Sequence, residues 1–363
     1  MEENTDSETK TLKIVIIDAG SREMRIGVWG QGTPKDVFPN AVGKLKKMFA
    51  RTGMNLKNIF FGEEAEEKMK MCDICYPVKN GRITIFDALE KVLTYTFQRN
   101  LETNVSEYKI VMKAEKEDRD ELLHLLFKTY NPQAILLANQ ASLSLFAVGC
   151  STGLVVNIGE GTSQVVPIIE NRIMQNAVVE NLGFNGQSLT EKLLTMLEID
   201  DTPSGHKCAR EVKEKYCFVA IDPKAEIENV LSDQVELSDG REIKIKSEKF
   251  QCPEVLFEEF RIHEVIVKAI KNCEEDKQKE LYKKIVLAGG STMLKGFPER
   301  LEKEIKSLVA DDTEINIIAQ SDRMHFAWKG GLNVAIKNLF PDNWITREDY
   351  EKNEAEIFHS KYI

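Results

Sequence analysis

The sequence predicts an α/β fold that consists of a duplicated core with a ligand cleft between its two halves. Three observations lead to this prediction. A buried strand, a loop of small residues and a returning strand follow one another from Ile14. The same arrangement recurs from Leu154, about 140 positions later. Between and after these units, predicted strands alternate with segments of helical spacing, which is typical of α/β domains.

The first unit occupies residues 14–28. Its first four residues are all β-branched and predict a strand that is buried on both faces. Asp18 ends this strand, residues 19–21 form a tight turn, and the chain returns through Arg25. Such a turn exposes several backbone N–H groups, which together can hold a phosphate group.

The second unit occupies residues 154–167 and follows the same order. Asn157 stands in the place of the acid, residues 159–162 form a glycine-containing loop, and a strand returns at Val165. One such loop is equally consistent with an ordinary turn, but two matching copies indicate two phosphate loops that face one cleft. A third apolar strand from Ile285 ends in two glycines, where the backbone can approach a flat ligand; a plain strand–helix turn is the alternative.

The composition excludes several classes of protein. The 363 residues suffice for two or more domains, and the formal net charge of −10 argues against direct binding of nucleic acid. No apolar run approaches the length of a membrane span, and the acidic N-terminus predicts neither a signal nor a transit peptide. Seven scattered cysteines are typical of a reducing compartment, and Cys72 and Cys75 lack the second ligand pair that a zinc site requires.

The remaining pattern predicts further elements. Three segments have the apolar spacing of helices: 87–98, 118–130 and 211–220. Three more helices are predicted from their starts, at 139–142, near Ser188 and after Gly296. Short strands are expected at 134–137 and 315–319, a hairpin at 234–246 and a turn at 328–331. The basic segment 44–51 is interpreted as a solvated or partner-facing loop, with a localisation or anion-binding patch as the alternative.

In this order, the motifs resemble those of actin and the actin-related proteins. The similarity extends from about Lys13 to the C-terminus and is strongest in these blocks: 18–27, 37–44, 60–68, 76–84, 139–149, 151–168, 211–222, 250–257, 287–296 and 343–350. The resemblance implies the actin-like ATPase fold, in which two duplicated ribonuclease-H-like domains flank a nucleotide cleft. Residues 1–147 and 322–363 are then the first half, with the 43–62 loop region at its tip. Residues 148–321 are the second half, with a helical and hairpin insertion at about 186–262.

Carried over position by position, the resemblance implies a site for ATP or ADP with Mg²⁺. Asp18 and Gln140 are the implied catalytic residues: Asp18 holds the cation through water, and Gln140 orients the attacking water. The implied nucleotide-binding residues are Asp18, Gly20, Ser21, Arg22, Arg25, Asn157, Gly159, Glu160, Gly161, Thr162, Gly186, Arg210, Lys213, Glu214, Gly289, Gly290, Ser291, Met293 and Met324.

Three departures from actin bear on the chemistry. Asn157 stands where actin has a second aspartate, so cation affinity and water activation are expected to weaken. Arg22 replaces a glycine, and it either neutralises phosphate charge or crowds the loop. Gln164 replaces a histidine near the hydrolytic water, which removes a proton relay. Because phosphoryl transfer depends on positioning and charge stabilisation, we expect ATP binding with slow or absent hydrolysis, and at most a weak ATPase.

The surfaces that build an actin filament also diverge. Segment 43–62 matches the DNase-binding loop of actin in length but hardly in sequence, and segment 113–117 is shorter than its counterpart. Residues 258–261 replace a longer apolar loop that lies between filament strands. The apolar area that is lost corresponds to about a few kcal/mol at roughly 25 cal/mol per Å². We therefore do not expect self-polymerisation into an ordinary actin filament.

The resemblance thus predicts an ATP-binding structural subunit of a cytoskeletal assembly or multiprotein complex. Its expected location is the cytoplasm and cytoskeleton, and its expected partners are actin or other actin-related subunits, without nucleic-acid contact or membrane insertion. The alternative is a nuclear actin-related subunit of a chromatin-remodelling complex, which the absence of large insertions disfavours. A third hypothesis, a small-molecule kinase, requires a catalytic aspartate where Asn157 stands.

Overall fold

The computed structural model describes residues 13–50, 57–352 and 361–362. Its strands are β1 (Ile14–Ala19), β2 (Glu23–Val28), β3 (Asp36–Pro39), β4 (Val42–Leu45), β5 (Ile59–Phe61), β6 (Cys72–Cys75), β7 (Val78–Lys79), β8 (Arg82–Ile83), β9 (Lys109–Lys113), β10 (Ala134–Ala138), β11 (Gly153–Ile158), β12 (Ser163–Ile169), β13 (Arg172–Ile173), β14 (Val179–Glu180), β15 (Asp233–Glu236), β16 (Glu242–Ile245), β17 (Ile285–Ala288), β18 (Ile317–Ile318) and β19 (Ile345–Thr346).

The α-helices alternate with these strands along the chain. They are α1 (Lys47–Ala50), α2 (Gly62–Glu67), α3 (Phe86–Asn100), α4 (Arg119–Tyr130), α5 (Gln140–Ala147), α6 (Gly186–Met196), α7 (Pro203–Tyr216), α8 (Pro223–Glu228), α9 (Glu248–Glu258), α10 (Ile262–Lys271), α11 (Glu275–Tyr282), α12 (Phe297–Lys306), α13 (Phe326–Lys337) and α14 (Arg347–Lys352). Among the described residues, no helix is long and apolar enough to cross a membrane.

The two central sheets have the same strand order. The first sheet runs β3-β2-β1-β9-β10, with β19 added beside β10, and the second runs β13-β12-β11-β17-β18. In each sheet the central strand is antiparallel to its hairpin partner and parallel to the strand on its other side. This repeated order confirms the predicted duplication.

Strand β1 is buried on both faces, as its β-branched residues predict. Val15 and Ile17 pack in one hydrophobic cluster with α3 and α4, whereas Ile14 and Ile16 pack in another with α5 and α13. Strand β11 is also covered by two separate clusters. Because successive side chains of a strand point to opposite faces, this burial fixes the register of each strand. It therefore also fixes where the loop after each strand begins.

The predicted turn at 328–331 is wrong, because these residues belong to helix α13. The glycines in this segment serve helix packing: a side chain on Gly330 would overlap the backbone of Leu143 in α5. The Trp328 indole N–H donates to the Ile16 carbonyl oxygen over 3.1 Å. Helix α13 therefore joins α5 to the first sheet.

Most other predicted elements are confirmed, with shifted ends. The helices at 87–98 and 118–130 are α3 and α4, and the hairpin at 234–246 is β15 and β16. Helix α7 begins before the predicted segment, because the Thr202 hydroxyl accepts a hydrogen bond from the Gly205 N–H and caps the helix. Helix α6 begins at Gly186, since Asn185 and Ser188 form a capping box.

Two segments need separate mention. The basic segment 44–51 is not the predicted loop where it is described: β4 lies between β5 and β6, and α1 follows it. Its last residue, with the rest of 51–56, lies outside the described residues.

At the other end of the chain, β19 pairs with β10, and α13 contacts α5, β1 and β9. The domain division at 147/148 and 321/322 stays a prediction.

Candidate functional site

A cavity of about 460 Å³ lies between the ends of β1 and β11. Loops from both sheets line it, so Asp18 and Asn157 share one cleft. The predicted site residues that line this cavity are Asp18, Gly20, Ser21, Arg22, Arg25, Gln140, Asn157, Gly159, Glu160, Gly161, Thr162, Lys213, Glu214, Gly289, Gly290, Ser291, Met293 and Met324. Two predicted residues, Gly186 and Arg210, lie behind Glu160 instead: a side chain on Gly186 would overlap its carboxylate, and the Arg210 Nε lies 3.5 Å from its Oε1.

The two predicted phosphate loops present unused hydrogen-bond donors. Among the described residues, the backbone N–H groups of Ser21 and Arg22 in the first loop donate to no acceptor. The same holds for Glu160 and Gly161 in the second loop. Clustered N–H groups of this kind form an anion-binding concavity. The loops are therefore suited to a polyphosphate.

The two loops approach each other closely. A side chain on Gly161 would overlap the Ser21 hydroxyl, so the second loop requires glycine at this point. The Gly81 N–H, in the turn between β7 and β8, donates to the Ser21 Oγ over 3.0 Å. Three segments thus close one end of the cavity.

The third predicted segment, after β17, contains two glycines with different roles. A side chain on Gly289 would overlap the backbone of Ile158, so close approach of two strands explains this glycine. Gly290 has open space on its side-chain position and lines the cavity. Of the two glycines, only Gly290 is placed as predicted, where the backbone can approach a flat ligand. Met293 and Met324 line the same cavity.

Asp18 does not have a free carboxylate. The Arg25 Nη1 lies 3.1 Å from its Oδ2, and the Arg25 Nη2 lies 2.6 Å from the Glu23 Oε2. The Arg25 Nε donates to the His325 Nδ1 over 3.1 Å. Burial, together with the Arg25 charge, lowers the pKa of His325, so its ring stays neutral and can accept this bond. Asp18 is therefore shared between Arg25 and the cavity.

A chain of amides crosses the cleft. The Gln140 Nε2 donates to the Asn157 Oδ1 over 3.2 Å, and the Lys113 Nζ donates to the Gln140 Oε1 over 3.5 Å. Asn157 is fully buried, and its Nδ2 has no hydrogen-bond partner among the described residues. A buried donor without a partner is costly, and a ligand oxygen at this point would satisfy it.

Neither hypothesis about Arg22, that it neutralises phosphate charge or that it crowds the loop, describes its position fully. Its guanidinium forms a bidentate ion pair with Glu66 of α2, in which the Nη2–Oε2 distance is 3.1 Å. The Tyr76 hydroxyl donates to the same carboxylate over 3.0 Å. Arg22 also lines the cavity. Its charge is thus largely neutralised by protein, and it ties the first loop to α2.

Glu160 is held by basic residues of α7. The Lys213 Nζ lies 3.1 Å from its Oε2 and also donates to the Gly186 carbonyl oxygen over 2.6 Å. Burial raises the pKa of Glu160, but the charges of Lys213 and Arg210 outweigh it and hold the pKa below its usual value. On the same helix, burial raises the pKa of Glu214. The ion pairs of Arg210 and Lys213 with Glu160 hold helix α7 against the second loop.

Sequence reasoning missed five charged residues that line the cavity: Glu23, Lys113, Lys215, Lys295 and Arg323. Arg323 donates from its Nη2 to the Thr292 carbonyl oxygen over 2.6 Å and so orders the turn after β17. A signal for Lys113 was present, because it follows the apolar residues of β9 as Asp18 follows those of β1. It could not be used, since the sequence does not give the pairing of β9 with β1.

A comparison of the sequence with known protein families identifies the family to which this chain belongs. A family described as Actin matches the sequence over residues 9–206 and 201–363. The chain belongs to the actin family. The match covers both halves, and the mixed α/β architecture with its repeated sheets is the actin-like two-domain fold.

Members of the actin family generally bind ATP or ADP with Mg²⁺, and the cavity can be tested for each. The nucleotide fits, because the cavity has a suitable size and two of its loops carry backbone N–H groups that donate to no acceptor among the described residues. The cation finds fewer ligands: Asp18 is engaged by Arg25, and Gln140 and Asn157 are neutral. Among the described residues, no group of three or more acidic, histidine or cysteine side chains could hold a metal ion.

Proposed function

We propose that this protein is an actin-related, ATP-binding structural subunit of a cytoskeletal assembly or multiprotein complex, in which ATP hydrolysis is slow or absent. Residues 1–147 with 322–363 would form one half and residues 148–321 the other. The observation that carries the proposal is the cleft itself, where two matching loops line one cavity and carry backbone N–H groups that donate to no acceptor in the described part of the chain. The proposed location is the cytoplasm and cytoskeleton.

Binding of the nucleotide follows from the lining of the cavity. The phosphates would lie between the Ser21 and Gly161 loops, where clustered N–H groups favour anions. The nucleoside would lie near Glu214, Met293 and Gly290. Mg²⁺ would be held through water at Asp18, with weakened affinity because its second ligand position carries an amide.

Weak hydrolysis follows from the state of the catalytic positions. An attacking water must be oriented by a side chain with a free hydrogen-bonding group. The Gln140 Nε2 is bound to Asn157 and its Oε1 faces Lys113, so both ends of this amide are engaged. Gln164, opposite Asn157 in the hairpin, is a buried amide and cannot relay a proton as an imidazole can.

The test of this function is the nucleotide content and turnover of the purified protein. We expect adenine nucleotide to copurify and phosphate release to stay far below that of muscle actin filaments. Gly161→Val should abolish the bound nucleotide, because its side chain would overlap Ser21. Gly32→Val, at a glycine with open space around it, is the matched control. Absence of nucleotide from the wild type under all conditions would refute the proposal.

The structural role is supported by the loop between α9 and α10. Glu259 and Arg261 of this loop, and Glu258 at the end of α9, are exposed and charged, whereas Phe260 packs inward against Phe184 with ring centroids 4.7 Å apart. Such a loop offers little apolar surface to a neighbouring subunit. We therefore propose association with actin or other actin-related subunits rather than an ordinary homopolymer.

Sedimentation with and without Mg-ATP tests this role. We expect the protein to remain in the supernatant in both conditions, and a pellet that depends on Mg-ATP would contradict the proposal. Affinity purification followed by mass spectrometry then separates cytoskeletal partners from the subunits of a nuclear chromatin-remodelling complex, which is the alternative.

A further inference from the structure

Lys113 occupies a position beside Asp18 in the first sheet. It is the last residue of β9, and its neighbour Met112 pairs in parallel with Ile17, the residue before Asp18. Its side chain is 6% exposed and lines the cavity. A positive charge is thus built into the cleft at the carboxyl end of a central strand, next to the acid of the first phosphate loop.

This ammonium group lacks the partners that a buried charge normally has. Among the described residues it forms no ion pair, and its hydrogen bond to the neutral Gln140 Oε1 is long at 3.5 Å. A buried charge is usually paired, because its removal from water is costly. The neighbouring acid, Asp18, is instead paired with Arg25. Lys113 therefore has charge available for a ligand.

The amides next to Lys113 form a hydrogen-bonded chain that leaves one donor unused. Because the Gln140 Oε1 faces the ammonium, the Gln140 Nε2 is directed to the Asn157 Oδ1. The Asn157 Nδ2 is then left buried, without a partner among the residues that the structure describes. An ammonium and a free amide N–H both seek an acceptor, whereas a hydrated cation offers only donors. This part of the cleft is therefore suited to anionic oxygens.

The overall charge of the cavity points the same way. Seven basic and four acidic side chains line it. Two of the acids, Asp18 and Glu23, are paired with Arg25, and Glu160 is paired with Lys213. Arg22 and Lys215 are also neutralised, by Glu66 and Glu211 outside the lining. Among the described residues, the basic side chains of the cavity without an ion pair are Lys113, Lys295 and Arg323, and Glu214 is the one such acid. A small excess of positive charge thus remains, to which Lys113 contributes.

We propose that the Lys113 ammonium neutralises the polyphosphate of the bound nucleotide in place of a divalent cation, so that this chain binds ATP and ADP without Mg²⁺. The inference rests on the proposed function, namely that the cleft binds adenine nucleotide. Mg²⁺ bound to the nucleotide is tolerated, but it is not required for affinity.

The test compares nucleotide affinity in Mg²⁺ and in EDTA, measured by calorimetry on the full chain freed of nucleotide. The wild type should bind ATP with nearly equal affinity in both conditions. Lys113→Gln should lose about 10- to 100-fold in EDTA, the value of a charged hydrogen bond, and should recover part of this loss in Mg²⁺. Lys113→Arg keeps the charge and should bind as the wild type does. Lys109→Gln, at the opposite end of β9, is the control.

The outcomes separate this inference from the function on which it rests. If the wild type binds ATP in Mg²⁺ but not in EDTA, Lys113 does not replace the cation, and the proposed function stands. If the wild type binds ATP in neither condition, both proposals are wrong. If Lys113→Gln fails to fold, the wild-type comparison alone decides, because it needs no variant.

Discussion

The Arg22 guanidinium and the Glu66 carboxylate form a bidentate ion pair that joins the first phosphate loop to helix α2. The pair is largely buried, with Glu66 side-chain exposure of 9%, and Tyr76 donates to the same carboxylate. Burial and the Glu66 charge also raise the pKa of Tyr76 to about 12, so this hydroxyl remains a donor at neutral pH. The first predicted phosphate loop is thus tied directly to α2 and to Tyr76.

We expect Glu66→Gln to lower the free energy of unfolding by about 3 kcal/mol, because it leaves the Arg22 charge buried without a partner. Urea denaturation measures this change. The matched control is Glu64→Gln on the same helix, where an exposed carboxylate contacts Lys57 and Lys68. That substitution should cost less than about 1 kcal/mol. Equal losses in the two variants would contradict a special role for the Arg22 pair.

Much of the fold could be predicted because the signals are local. Residues 14–17 and 154–156 are apolar, each run leads through a polar residue into a loop of small residues, and the resulting hairpins β1–β2 and β11–β12 match the prediction. The hairpin β15–β16 was predicted for the same reason, since its Ser238, Asp239 and Gly240 form a turn between alternating strands. Patterns of this kind need only the adjacent residues.

The features that were missed depend on distant contacts. Lys113 lies beside Asp18 only because β9 pairs with β1, and no local pattern contains this register. The Arg22 pair joins residues 44 positions apart in sequence. The sequence predicts a turn at Gly330 and Gly331, whereas these glycines allow α13 to pack on α5 and β1. In each case the deciding contact lies on another element.

The ion pair between Glu160 and Lys213 predicts a pH dependence of stability. Since the folded protein holds the pKa of Glu160 below its ordinary value of 4.5, the carboxylate stabilises the fold above that pH. This contribution is lost as the pH falls through the folded pKa. Glu160→Gln should therefore cost about 1–3 kcal/mol at neutral pH and progressively less below 4.5.

Thermal unfolding of ligand-free protein across the acidic range checks this dependence. Glu228→Gln, at an exposed position of α8, serves as the control and should follow the wild type throughout. A deficit of Glu160→Gln that does not change with pH would mean that side-chain shape, rather than charge, explains the loss.

Restoring an acid at position 157 should change the dependence on the cation. We expect Asn157→Asp to raise the affinity for Mg²⁺ in the presence of nucleotide by about 10- to 100-fold, the size of effects that act on a metal through its outer shell. Binding of ATP in EDTA should weaken, because the new carboxylate pairs with Lys113 and repels phosphate. A Mg²⁺ titration of fluorescent-nucleotide binding measures both effects. Asn229→Asp adds the same charge at an exposed site, and equal Mg²⁺ affinities of the two variants would count against this account of the cleft.

A substitution at Gly289 tests the close approach of β11 and β17. Its φ is +88°, and a side chain would overlap the Ile158 carbonyl oxygen and lie 2.9 Å from the Asn157 Oδ1. Gly240 has nearly the same φ, +80°, but open space around it. Gly240→Ala should cost about 1–2 kcal/mol of stability from its backbone conformation alone.

Gly289→Ala should cost roughly 1–3 kcal/mol more than Gly240→Ala, because it adds overpacking to the same backbone strain. Urea denaturation of both variants gives the difference, in which the common contribution of the positive φ cancels. The displaced Asn157 should also weaken ATP binding, whereas Gly240→Ala should leave it unchanged. If the two variants lose the same stability and both retain nucleotide, the Gly289 backbone does not fix Asn157 at the cleft. The amide would then have to be held by Gln140 alone.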